Sequence, residues 1–290
     1  MVIGDGSVAT RTKSTTGTDD LRGNFGHILA HGAGWRALEV VCTAGPNDRP
    51  FEERHAWSSI SLVMAGTFAY RSDRGTALMS PGAMVLGTFG KSFECSHEHG
   101  IGDRCLSFQF TRDSFEAIAS DAGARRAGFA HDRMPPLREL ALLSARAVNA
   151  IAKSLPLDEI ALELAGAVLR VDAAGMPSSH STTTRDRMRI GEVLRHLELH
   201  PDEPHTLTEL AGLARLSPYH FLRTFKIVTG LTPHQWVIRA RLRDAARRLA
   251  AGRESITEIA LEAGFQDLAN FIRSFHAQFG VSPRRYRALS

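Results

Sequence analysis

Two stretches of the chain repeat each other. LTELAGLARLSPYHFLRTFKIVTGLTP spans 207–233 and ITEIALEAGFQDLANFIRSFHAQFGVSP spans 256–283. Ala211 and Ala214 align with Ala260 and Ala263 at an offset of 49, whereas Phe225, Gly230 and Pro233 align with Phe275, Gly280 and Pro283 at 50. One residue is inserted between, where Arg215-Leu216 becomes Gly264-Phe265-Gln266. Two copies are too few to build a solenoid. They fit a duplicated supersecondary unit.

Each copy opens with a helix-start signal. Thr206 with Glu209, and Ser255 with Glu258, have the spacing of a capping box. Leu207, Leu210, Ala211 and Ala214 follow at i, i+3, i+4, i+7, and so do Ile256, Ile259, Ala260 and Ala263. That period marks an amphipathic helix. After a short break, Ser217 with Pro218 and then Asp267 stand where a second helix would be capped. Phe221/Phe225 and Phe271/Phe275 are i, i+4 pairs that would bury it, and Gly230 and Gly280, each followed two residues on by Thr/Ser and then Pro, would end it. Two helices, a tight turn and small alanines in the first helix describe a helix-turn-helix, whose second helix can enter a major groove. The outward face would carry Tyr219, Leu222, Arg223 and Lys226 in the first copy, and Leu268, Ala269, Ile272 and Arg273 in the second. A plain packing hairpin would show the same apolar pattern. The duplication, with an arginine two residues before a buried Phe in each copy, favours the DNA reading.

Between the copies, HQWVIRARLRDAARRLAAG (234–252) reads as a long connecting helix. Trp236, Val237, Ala240, Ala245 and Leu249 give it an apolar side; Arg239, Arg241, Arg243, Arg247 and Arg248 give it a charged side. About fifteen residues at ~1.5 Å each span a little over 20 Å. Such a helix can hold two reading helices about one DNA turn, roughly 34 Å, apart.

Residues 186–288 resemble the DNA-binding domain of the AraC/XylS transcriptional regulators. Ala211, Ser217, Phe221, Arg223, Phe225, Lys226, Gly230, Thr232, Pro233, Trp236, Arg241 and Ala245 carry the likeness in the first half. Ile256, Ile259, Ala260, Gly264, Phe265, Phe271, Arg273, Phe275, Gly280, Ser282, Pro283, Tyr286 and Arg287 carry it in the second. The resemblance implies that Tyr219, Leu222 and Arg223 read one groove, and that Leu268, Ala269, Ile272 and Arg273 occupy the next. Backbone contacts are expected from Ser217, Lys226, Thr232, His234, Ser282 and Arg284. The positions of Leu268, Ile272 and His276 are often polar or basic in that family. Leu and Ile can pack on a thymine methyl but cannot hydrogen-bond a base, so the second unit is expected to contribute more fit than discrimination.

Charge is divided along the chain. Residues 181–290 hold 17 Arg/Lys against 11 Asp/Glu, a balance of +6, leaving −2 for residues 1–180 of the overall +4. Arginine forks suit phosphate and guanine edges. Only Cys42, Cys95 and Cys105 are present in 290 residues, which argues against a disulfide scaffold and for a reducing cytoplasm. No apolar run reaches the ~18 residues of a membrane span, and MVIGDGSVATRTKSTTGTDD lacks a signal-peptide centre.

The N-terminal half reads as short strands (38–44, 58–66, 67–72, 76–80, 83–89, 105–111) separated by turns such as Ser80-Pro81-Gly82. Regular short strands suggest a sandwich or barrel, and the resemblance implies a cupin-like β-barrel. Two helical patterns follow, at 136–154 and 157–173. Their apolar faces (Leu140, Leu143, Ala147, Ile151; Ile160, Leu164, Ala167, Val168, Val171) would pack on the barrel or form a dimer seam. The expected division is a disordered leader (1–24), a sensor and dimerisation domain (25–174), a linker (175–186) and a tandem helix-turn-helix domain (187–290). The fold class is thus α+β multidomain: a cupin-like barrel with a helical hairpin, then an all-α domain with two helix-turn-helix units joined by a long helix.

CSHEHGIGDRC (95–105) can carry chemistry. On a strand Cys95, His97 and His99 would share one face, with Cys105 returning after a turn and His55 joining from a neighbouring strand. Thiols and imidazoles match the ligands of Zn²⁺ or a softer metal. A Cys95–Cys105 redox switch and a purely structural hydrogen-bonded turn stay open beside this.

Together these features point to a cytoplasmic, non-enzymatic transcription regulator that binds double-stranded DNA and contacts RNA polymerase. It would work as a homodimer, off the membrane, answering a small-molecule or metal effector. No cofactor is expected beyond a metal ion at the 95–105 cluster. The rivals are a cupin-type metal enzyme using His55, His97, His99 and Glu98, and a DNA-repair alkyl acceptor at Cys95 or Cys105.

Overall fold

The computed structural model describes residues 24–50, 52–97, 102–124, 128–175, 182–201 and 203–290. The expected leader, apart from Asn24, and residues 176–181 of the expected linker lie outside the described residues. The N-terminal half runs β1 (Asn24–Gly32), β2 (Trp35–Cys42), β3 (Glu52–Arg54), β4 (Ser58–Ala65), β5 (Phe68–Ser72), β6 (Gly75–Met79), β7 (Met84–Gly87), β8 (Ser92–Ser96) and β9 (Asp103–Phe110). Helix α1 (Arg112–Asp121), β10 (Arg133–Met134), a 3-10 turn (Arg138–Leu140) and a hairpin of α2 (Ala141–Ala152) and α3 (Asp158–Ala174) complete it.

The strands form two antiparallel sheets, ordered β1-β2-β9-β4-β7-β10 and β3-β8-β5-β6. Among the described residues no strand belongs to both, so the closed barrel expected from the sequence is instead a pair of open sheets. The physical reason lies in β9 and β4. Leu106, Phe108 and Phe110, with Ile60 and Leu62, point away from the smaller sheet into a core shared with α1, α2 and α3. Cys105 and Val63 point the other way, against Phe68, Tyr70 and Met79. A sheet apolar on both faces is satisfied by one covering layer on each side, and helices supply the second layer. The α2–α3 faces holding Leu140, Ala147, Ile160, Leu164 and Val168 belong to that core. Of the two uses open to them, packing on the sheet is the one realised.

The C-terminal half is helical: α4 (Thr184–Leu199), α5 (Leu207–Leu213), α6 (Pro218–Thr229), α7 (Pro233–Ala251), α8 (Ile256–Glu262), α9 (Leu268–Phe279) and α10 (Pro283–Leu289). Helix α4 begins inside the stretch expected to be linker. Both capping boxes form, at Thr206/Glu209 and Ser255/Glu258, and Thr232/Gln235 makes a third. Asp267 caps α9 by accepting from Asn270 N at 2.6 Å. Gly230, Gly252 and Gly280 end α6, α7 and α9 at φ of 77°, 72° and 74°, a left-handed conformation that only glycine adopts without strain.

Two small cores divide this half. The first joins Ile190, Val193 and Leu194 of α4 to Phe221, Phe225 and Trp236. The second joins Leu242, Ala246 and Leu249 of α7 to Phe271, Phe275, Phe279 and Tyr286. The N-terminal half packs on both. Leu78 of β6 reaches the first core, and Ala141, Leu142 and Ala145 on the outer side of α2 reach the second. Asn149 of α2 donates to the Tyr286 hydroxyl at 2.5 Å in a buried contact.

Phe225 and Phe275 are each fully buried at equivalent places in the two units. Each Phe→Ala change is expected to cost about 3–5 kcal/mol, checked by urea unfolding. If one is nearly neutral, the two cores are not equivalent supports.

Candidate nucleic-acid interface and junction cleft

Helix α6 buries Phe221 and Phe225 and turns Tyr219, Leu222, Arg223 and Lys226 outward; Tyr219 is 79% exposed. Helix α9 buries Phe271 and Phe275 and turns Leu268, Ala269, Ile272 and Arg273 outward. The expected readers therefore lie on two equivalent solvent-facing surfaces. Among the described residues no salt bridge engages Arg223 or Arg273, whereas Arg247 pairs with Asp244 and Arg248 with Glu254 and Glu262. Both arginines are exposed and, among the described residues, outside any salt bridge. Of the expected backbone-contact residues, Ser217, Thr232 and Ser282 are N-caps of α6, α7 and α10. Their hydroxyl oxygens accept from helix amides, and the hydroxyl proton remains available. Lys226, His234 and Arg284 are exposed.

Sequence reasoning missed His220 and Asn270. Both are exposed in the first turn of their helix, and they stand at the same offset of 50 that aligns the later part of the repeat. Carrying that alignment position by position would have found them.

The charged side expected for α7 is present, and several of its arginines are engaged within the protein. Arg241, half-buried, donates to the carbonyls of Pro201, Glu203 and Gly264 at 2.9–3.0 Å. Gly264 has φ +79°, and a Cβ there would lie 2.8 Å from the Arg241 guanidinium carbon. Glycine is required both for the turn and for the clamp. Arg239 donates to the Pro136 carbonyl, tying α7 to the N-terminal half.

Arg243 faces a cleft of about 500 Å³ between the six-stranded sheet, α2 and α7. Leu62, Met64, Met84, Val148 and Leu197 give it an apolar lining, with Glu198, Trp236 and Arg243 as its polar groups. Burial pushes the Glu198 carboxyl up to about 7, against the opposing pull of Arg243. Burial likewise pushes the Arg243 guanidinium down to about 10, against the pull of Glu198. Glu198 Oε1 and Trp236 Nε1 are buried without a hydrogen-bond partner. An apolar recess with a few unsatisfied polar groups is the usual form of a small-molecule site.

Of the candidates at 95–105, the structure groups only His97 with other metal-capable side chains among the described residues, Cys42 and Asp103. His97 is buried with Nε2 2.6 Å from Asp103 Oδ2, and the Cys105 thiol donates to Asp103 Oδ1 at 3.3 Å. Burial opposes charge on His97, but hydrogen bonds with Asp103 and Cys42 outweigh it and lift the imidazole to about 9. Burial pushes the Cys95 and Cys105 thiols well up. His55 does not join them. It stacks on Phe93, four residues before His97, with ring centroids 4.2 Å apart, and shares a hydrogen bond with Tyr70 Oη. Burial pushes it down to about 4, leaving it neutral. Glu98 and His99 lie outside the described residues. Cys42, which sequence reasoning left out, stands beside His97 instead. Its signal is register: Cys42 pairs directly with Asp103.

Residues 210–289 match a family model described as a helix-turn-helix domain, and the C-terminal region is an AraC-type helix-turn-helix domain. The probable transcriptional regulator LumQ of Photobacterium leiognathi is 33% identical over 103 residues, 35% of this chain and 41% of that protein. The bifunctional transcriptional activator/DNA repair enzyme Ada of Escherichia coli is 31% identical over 144 residues, 50% of this chain and 40% of that protein. The DNA-binding domain of AdpA, solved in complex with a target DNA, is 34% identical with a TM-score of 0.34, covering 35% of this chain and 91% of that one. The chain therefore spans less than half the length of these curated relatives.

Glu198 has a pH signature. Its folded value of about 7 lies above the ordinary 4.5, so between the two the folded chain holds a proton the unfolded chain has lost. Stability should fall as pH rises through that window and level off above it. Glu198→Gln is expected to remove this decline and to raise the melting temperature at pH 8 but not at pH 4. An unchanged pH profile in the variant would show that Glu198 titrates normally.

Proposed function

We propose that the protein is a sequence-specific DNA-binding transcription regulator that reads two successive major grooves and answers an effector held in the junction cleft. The observation that carries this is the pair of equivalent outward faces on α6 and α9, each with an unpaired arginine, joined by α7. Nineteen residues of α7 at ~1.5 Å each span about 28 Å, close to the ~34 Å repeat of the duplex. Arg223 and Arg273 would contact base edges, with His220 and Asn270 beside them. Tyr219, Leu222, Leu268, Ala269 and Ile272 would supply apolar contact and fit. Ser217, Lys226, Thr232, His234, Ser282 and Arg284 would hold phosphates, which orient the protein without specifying sequence. Such a regulator works in the cytoplasm, as a homodimer, through RNA polymerase.

Selection from a random duplex pool should yield two half-elements about 10 bp apart. Arg223→Ala should blur one and Arg273→Ala the other, at about 1–3 kcal/mol each. Lys226→Ala should weaken all sequences alike and lower the salt slope by about one. A single half-element untouched by Arg273→Ala would reduce the second unit to a backbone contact.

The cleft touches both halves of the chain, so a bound molecule would bias how they are held against each other. Its apolar lining and Arg243 suit an apolar molecule with an anionic head. The fluorescent apolar anion 8-anilinonaphthalene-1-sulfonate should bind there, and Arg243→Ala should weaken it at least tenfold (about 1.4 kcal/mol). Equal binding by the variant would place the probe elsewhere.

A further inference from the structure

Cys42, His97 and Asp103 come from three separate stretches and meet at one end of the sandwich. Cys42 closes β2 and Asp103 opens β9, directly paired in the larger sheet. His97 follows β8 of the smaller sheet. One ligand atom from each, the Cys42 sulfur, an imidazole nitrogen and a carboxylate oxygen, lie within 4.8 Å of one another. The backbone is closely packed here: Gly102 donates to the Ala44 carbonyl at 3.0 Å, and a Cβ on Gly102 would collide with the Cys42 carbonyl oxygen. A Cβ on Gly66 would meet the Gly102 carbonyl at 2.6 Å. The donors are thus presented from a rigid corner. His97 and Asp103 side chains are only 2% and 7% exposed.

We propose that these three residues form a zinc site joining the two sheets. Zn²⁺ takes sulfur at about 2.3 Å and nitrogen or oxygen at about 2.0–2.2 Å, which sets neighbouring donors roughly 3.5 Å apart in a tetrahedron. Cys42 Sγ is 4.0 Å from His97 Nδ1. That is at the outer limit of a sulfur hydrogen bond, while Asp103 meets the other ring nitrogen, Nε2, at 2.6 Å, so a shared ion on one nitrogen requires the imidazole or the carboxylate to turn. On binding, the Cys42 thiol proton and the extra proton on the His97 imidazole both leave to solvent; one thiolate, one carboxylate, a neutral imidazole and Zn²⁺ then sum to zero charge, as a buried site requires. Cys105, whose thiol already reaches Asp103, is the nearest further donor. The mixed sulfur, nitrogen and oxygen set favours zinc over calcium or magnesium, which take oxygen alone. The site is independent of the DNA-reading surface and of the junction cleft.

The test uses the full chain, reduced, stripped with chelator and titrated with Co²⁺. One equivalent should bind with thiolate-to-cobalt charge-transfer absorption and the intense visible bands of four-coordinate cobalt, and Zn²⁺ should displace it one for one. Cys42→Ala should lose the charge-transfer band, and Asp103→Asn should weaken binding at least tenfold. Cobalt that fails to bind, or a charge-transfer band that survives in Cys42→Ala, overturns the proposal. Should the variants unfold, alkylation of the unmutated protein decides. Zn²⁺ should slow modification of Cys42 at least tenfold by peptide mass mapping, and an unchanged rate overturns the site.

Discussion

Both helix-turn-helix units are built on one helix. Trp236, near the start of α7, is buried in the first unit's core, and Leu242, Ala245, Ala246 and Leu249 are buried in the second. The distance and rotation between α6 and α9 are therefore set by the helical rise and twist between position 236 and positions 242–249. An α-helix is stiff over this length, so neither unit can shift without distorting the other's core. Arg241 lies between the two groups of anchors. By binding three backbone carbonyls from the α4–α5 connection and the second unit's turn, it ties both units to the helix between them. The guanidinium fork suits this use: one planar group offers several fixed donors, where a lysine would offer a single mobile one.

The helical half was more legible than the sheet half, for physical reasons. Helix starts and stops are local. Thr206 with Glu209, Ser255 with Glu258, and Gly230 or Gly280 before a proline each determine a boundary within a few residues, and the structure has all of them. The outward positions of Arg223 and Arg273 followed from the 3.6-residue period of the buried phenylalanines. The sheet half depends on which strands pair, and that information is not local. Cys42 and Asp103 are far apart in sequence and adjacent in space only because β2 pairs with β9. His55 illustrates the converse: the sequence placed it near a neighbouring strand, but not where along the sandwich it would lie. The arginines of α7 misled for a related reason. A charged face reads as solvated unless something packs on it; here Arg239 is covered by the other half of the chain, while Arg241 and Arg248 find partners within their own half.

Helix α2 shows how the two halves are coupled. Ala147 and Ala150 face the sheet, while Ala141, Leu142 and Ala145 face the second unit. Small residues on both sides let the helix act as a thin spacer, bringing α7 close behind the sheet. At this junction polar groups are left poorly satisfied: Glu198 Oε1 and Trp236 Nε1 lack partners, and Arg243 is held largely away from water. Such groups cost free energy in the closed arrangement. A junction filled by apolar side chains would be more stable but fixed. One that lines a recess with a carboxyl group, an indole N–H and a guanidinium gives up part of that stability to keep polar groups beside the cleft.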